Sequence, residues 1–225
     1  MKSLIASVFS LCGLAGLFGQ SADLTVKFQH EIVTEMRMYE NDALQGSFDY
    51  RFLTNNEAGE IGMIGEMDFQ GQQINSKAIY NSKEGHMLML IDQAGMKMGM
   101  SMKLDPAQYA EDNDMGDIQV KKTGRSKEIM GYQCDEYEIT SESAFIVVWI
   151  TPELDLPEFY NALGATDPGN NQFQDIPEGF MMEMKMWPKG KDSKESMELE
   201  VTEINLNQPH EISSTGYQIM EMPNR

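Results

Sequence analysis

The stretch LTVKFQHEIVTEMRM, Leu24 to Met38, alternates apolar and polar side chains almost without interruption. Leu24, Val26, Phe28, His30, Ile32, Met36 and Met38 share one parity, while Thr25, Lys27, Gln29, Glu31, Glu35 and Arg37 share the other. Successive side chains of a strand point to opposite faces, so this period of two reads as one long strand with a buried face and a wet one. A helix would need apolar residues three and four apart instead.

The same pattern recurs along the chain. SFDYRF places Phe48, Tyr50 and Phe52 together, and EIGMIGEMDF does so with Ile61, Met63, Met67 and Phe69. INSKAIYN, HMLMLID and MKMGMSMK (Met96–Lys103) follow at short spacing, with turn residues at Ser82–Gly85 and Gln93–Gly95. This is the signature of an antiparallel meander. An acidic segment at 105–116 interrupts the series, and its carboxylates miss the EF-hand spacing. Strands resume with DIQVKKTG, KEIMGYQCDEYEIT and AFIVVWIT, and close with GFMMEMKMW, SMELEVTEINL and STGYQIMEM. A change of parity between Tyr132/Cys134 and Tyr137/Ile139 predicts a bulge near Asp135–Glu136. Between them, Thr151 as cap, Pro152 at the first helical position and Gly164 as terminator predict a short helix, broken at Pro157.

The total is roughly eleven or twelve strands. Two short helical pieces cannot cover the apolar side of so many, and each large side chain left wet forgoes about 1.5–3 kcal/mol. The expectation is a mainly β fold: a single large curved antiparallel sheet, a half-barrel, with one or two short lid helices near 152–178.

Residues 1–21, with Lys2 before an apolar run and small residues Gly19, Ser21 and Ala22 after it, read as a secretory signal peptide. Residues 22–225 then form one β-rich domain, exported to the periplasm or beyond, and not a lipoprotein, since Leu11 precedes Cys12 where a lipobox needs a small residue. The net charge of −19 argues against nucleic acid and anionic membranes as partners. Cys134 alone would remain after cleavage, expected as a small buried apolar residue. The three histidines, His30, His86 and His210, form no HExxH pattern, and no G-x-S-x-G elbow occurs. No enzyme activity and no cofactor are expected, and His30 reads as a hydrogen-bonded core residue.

The chain holds 20 methionines. Met is unbranched and adaptable, suited to a wall that must fit varied apolar shapes. The residues predicted to line a hydrophobic site are Phe28, Met36, Phe48, Tyr50, Met63, Met67, Met98, Met100, Trp149, Met182 and Met184. Thioethers are also soft ligands that select Cu(I). An alternative set of His86, Met87, Met89, Met96 and Met98 would then hold Cu(I) or Ag(I). Alternate residues of one strand lie about 7 Å apart, so a single strand cannot wrap an ion.

The segment VKKTGRSKEIMGYQCDEYEIT, followed by VVWITPEL, resembles an exported domain-of-unknown-function family, number 4412. Lys122, Gly124, Lys127, Ile129, Gly131, Tyr132, Cys134 and Tyr137 match the first part of its signature, and Val148, Trp149 and Thr151 the second. More distantly, the chain is similar to the LolA/LolB-like lipoprotein carriers, whose curved sheet and lid helices hold acyl chains. It departs from them in that a strand, not an amphipathic helix, follows the leader. The excess of apolar, Met-rich strand surface points to an exported, monomeric carrier holding a lipid or other hydrophobic ligand on a Met-lined concave face. A module that docks an envelope protein is the remaining alternative.

Overall fold

The computed structural model describes residues 23–55, 59–69, 72–81, 83–103, 118–154, 156, 179–188, 190 and 192–222, with the backbone alone at 67–69 and 72–73. Strands β2 (His30–Glu40), β3 (Ala43–Thr54), β4 (Glu60–Phe69), β5 (Gln72–Asn81), β6 (His86–Gln93) and β7 (Met96–Lys103) form one meander. A second comprises β8 (Gln119–Ile129), β9 (Tyr132–Thr140), β10 (Ala144–Thr151), β11 (Phe180–Pro188) and β12 (Glu195–Asn205). Pairing of β2 with β12 joins them into a twelve-stranded open sheet that runs from β14 (Gln218–Glu221) beside β7 to β8 at the far edge. β1 (Thr25–Phe28) and β13 (His210–Ser213) form a separate two-stranded sheet.

Local chemistry explains the tight corners. Asn41–Asp42, Ala94–Gly95 and Met130–Gly131 all have positive φ at both residues, the pattern that two-residue hairpin turns require to match the twist of their strands.

The main sheet is mainly β and open, as the alternation predicts, but four details differ. The first predicted strand divides at Gln29, whose N–H is donated to the Thr54 carbonyl, and β1 leaves the main sheet to pair with β13. KEIMGYQCDEYEIT is not one strand: the Met130–Gly131 turn assigns its first three residues to β8. The bulge lies opposite the predicted place. β9 runs in unbroken register against β10, and the extra residues sit on β8 between Lys122 and Ser126, where Gly124 takes φ +83°. Lastly, β14 pairs with β7 in parallel, so the sheet is not wholly antiparallel. Of the predicted lid, 157–178 lies outside the described residues, and Thr151–Leu154 pass from strand into a turn without a helix. Residues 1–22 and 104–117 lie outside them too.

Two cores result. The larger contains Ile32, Phe52, Ile139, Ile146, Val148, Met182, Leu199 and Val201. The smaller lies beneath β1 and β13, where Val26, Phe28 and Ile212 pack on Leu53, Ile79, Leu88 and Leu90. Gly62 permits that close approach, since a Cβ there would stand 2.9 Å from both Phe28 and Ile212.

Candidate apolar ligand-binding face

Residues directly opposite across a sheet point to the same side, so the register assigns each side chain a face. One row crosses eight strands: Ile204, Ile32, Phe52, Met63, Ala78, Met89, Met100 and Met220, on β12, β2, β3, β4, β5, β6, β7 and β14 in turn. A second, displaced along the strands, carries Tyr137, Val148, Met184, Leu199, Met36 and Phe48. Both rows lie on one face.

Small residues form the floor of that face. A Cβ on Gly65 would meet the Tyr50 ring at 3.1 Å, and one on Gly46 the Phe48 ring at 3.3 Å, so both rings lie over glycine. Tyr50 also stacks on Phe52, with centroids 6.5 Å apart. Met36, Phe48, Tyr50, Met63, Met100 and Met184 are neither buried nor fully exposed, so their outer atoms remain within reach of a ligand.

The opposite face of β2, β11 and β12 is a charge ladder. Arg37 bonds Glu200 at 2.7 Å and Glu35 at 3.1 Å, and lies 3.5 Å from Glu198. The hydrogen bond to Glu200 raises the Arg37 pKa above its ordinary value, with Glu35 adding to it. Burial alone would push the Glu198 carboxyl up, but Lys185 at 2.8 Å and the Arg37 charge outweigh it and hold it below the usual carboxylate range. Along β2, β11 and β12 one side of the sheet is therefore wet and ionic and the other apolar, whereas along β3 to β7 the smaller core covers the first side.

The predicted lining residues divide accordingly. Met36, Phe48, Tyr50, Met63, Met98, Met100 and Met184 share the apolar face, with Met98 at its exposed end. Met182 is the unpaired residue at the β11 bulge and is fully buried in the larger core. Met67 is in register with Ile74; its side chain lies outside the description. Phe28 does not belong to this face: once β1 leaves the sheet, it fills the smaller core on the other side. Trp149 is displaced likewise. It stands opposite Glu136 and Glu183, with the Lys127 ammonium 4.4 Å above its ring. The set missed Phe52, which shares the parity of Phe48 and Tyr50, and Met89 and Met220, which the register brings onto the same row.

The alternative metal set is split. Met87, Met89, Met96 and Met98 are on the apolar parity, but His86 is on the other, paired with the Ser101 hydroxyl at 2.9 Å. Among the described residues, no three His, Cys, Asp or Glu side chains form a metal cluster. Cys134 is fully buried, its thiol pushed up by burial and bonded to the Tyr132 carbonyl. His30 is buried and accepts the Asn207 N–H at Nδ1, the core role predicted for it.

No curated protein matches the chain. Among solved structures, PNGF-II in its C2 and P21 crystal forms is 15% identical, with TM-scores of 0.41 and 0.44. Each match covers 86% of this chain, which spans about a third (31%) of the PNGF-II length. The LolA superfamily protein NE2245 from Nitrosomonas europaea is a distant neighbour at 10% identity and TM-score 0.30, over 80% of this chain and 87% of that one. The family model for a domain of unknown function, DUF4412, matches residues 32–212, from β2 through β13. The chain thus belongs to the DUF4412 family.

Proposed function

We propose that this is an exported, monomeric binding protein that holds a lipid or other hydrophobic molecule on its Met-lined face, without transforming it. The carrying observation is the in-register apolar row through Phe52, Met63, Met89 and Met100, half-buried along most of its length. Adaptable thioethers beside rings seated over glycine give a surface that moulds to a chain of methylenes. Apolar burial would supply the affinity.

A fatty-acid series tests this. At about 0.8 kcal/mol per buried methylene, each added carbon should tighten binding about fourfold until the face is filled. Native mass spectrometry of gently purified protein, with organic extraction, should recover a bound lipid. No extracted lipid together with no dependence of affinity on chain length would refute the reading.

A further inference from the structure

Soft-metal binding needs several thioethers around one point, and the topology brings them together across strands rather than along one. Met89 on β6 stands opposite Met100 on β7, and Met100 stands opposite Met220 on β14. The parallel pairing of β14 is what returns Met220 to this place from the far end of the chain. One step along the strands, Met87 stands opposite Met102. Neighbouring strands lie about 4.8 Å apart, against about 7 Å between alternate residues of one strand. The outer two side chains of the row can therefore lean inward over Met100, each using the three rotatable bonds of an unbranched arm. All five are half-buried, open enough to admit an ion and sheltered enough to desolvate it.

We propose that Met89, Met100 and Met220, flanked by Met87 and Met102, form a binding site for a monovalent soft metal, Cu(I) or Ag(I). Thioethers are neutral, so they suit a singly charged soft ion and offer little to Mg²⁺ or Ca²⁺, which take oxygen ligands. No proton must leave the ligands. Binding is therefore insensitive to pH across the range in which histidine titrates, unlike a site built on imidazole. The site shares Met89 and Met100 with the apolar-ligand face and occupies only its β6–β7–β14 end.

The test is anaerobic titration of the full chain with Cu(I) against bathocuproine, repeated with Ag(I). We expect one ion per chain, bound more tightly than micromolar, with sulfur-only coordination by X-ray absorption and equal affinity at pH 5.5 and pH 7.5. Met89→Leu with Met100→Leu should weaken binding at least tenfold. Met220→Leu, on a short edge strand, gives the same direction of change should the double variant fold poorly. Met98→Leu, opposite Ile91 and Gln218, and His86→Ala, on the other face, should leave affinity unchanged. Micromolar or weaker affinity, or equal losses in the Met98→Leu and Met220→Leu variants, would overturn the assignment.

Discussion

Phe28 is the sharpest discriminator between the two sides of the sheet, because sequence parity and structure assign it opposite roles. Its side chain is 1% exposed and lies where a Cβ on Gly62 would collide with it, sealed between β13 and the main sheet. Phe28→Ala would leave a void backed by a sheet that cannot collapse inward, which places the cost at about 3–5 kcal/mol. For a chain of this size each kcal/mol lowers the melting temperature by about 2–4 °C, giving a fall of about 6–20 °C. Differential scanning calorimetry and acyl-chain binding should be measured together. The prediction is a large loss of stability with unchanged affinity in the folded protein at low temperature. Phe48→Ala should do the reverse: about 1 kcal/mol of stability, with markedly weaker binding. A Phe28→Ala protein that melts within about 2 °C of the parent, or that loses affinity at full stability, would refute the two-sided arrangement.

Two further outcomes follow from other parts of the sheet. Glu198 has its pKa lowered in the fold, so its stabilising contribution is complete above the ordinary carboxylate value of 4.5 and is lost as pH falls through the folded value. Glu198→Gln should therefore flatten the acid limb of urea midpoint against pH, by about 1 kcal/mol or less given its partial exposure, and an unchanged limb would count against this. Gly179 has φ +144°, and a Cβ there would stand 2.5 Å from the Thr151 carbonyl oxygen. Gly179→Ala should cost about 2 kcal/mol or more in chemical denaturation, since the new methyl would strike the Thr151 backbone carbonyl in a conformation that side chains other than glycine's rarely adopt.

The alternation in the sequence was enough to read most strands and which parity of each is apolar. Met36, Phe48, Tyr50 and Met63 share a face in the structure because a period of two leaves no other choice once the strands pair. What the alternation could not convey is where a strand changes sheets. Leu24 to Met38 keeps its parity through Gln29, yet the backbone turns aside there and carries Phe28 to the other core. Trp149 misleads for a related reason: AFIVVWIT is apolar on both parities, so periodicity does not distinguish its faces, and only Glu136 and Glu183 beside it do. The alternative metal set held Met87 and Met89 but missed Met100, Met102 and Met220 for a third reason: cross-strand register is not written in one strand, and the placement of Met220 depends on a parallel pairing between segments more than a hundred residues apart.

The junction between the two meanders also governs how the molecule assembles. Each meander closes through neighbours in sequence, whereas β2 and β12 meet across a separation of 163 residues, as the Arg37–Glu200 bond shows. Ordering so long a loop is slow, and contacts of this kind set the pace of folding. Two half-sheets would thus form early and wait, each with a raw border, until β2 and β12 meet and zip them together. Slow refolding, and complementation between separately produced halves, are the behaviours such a seam implies.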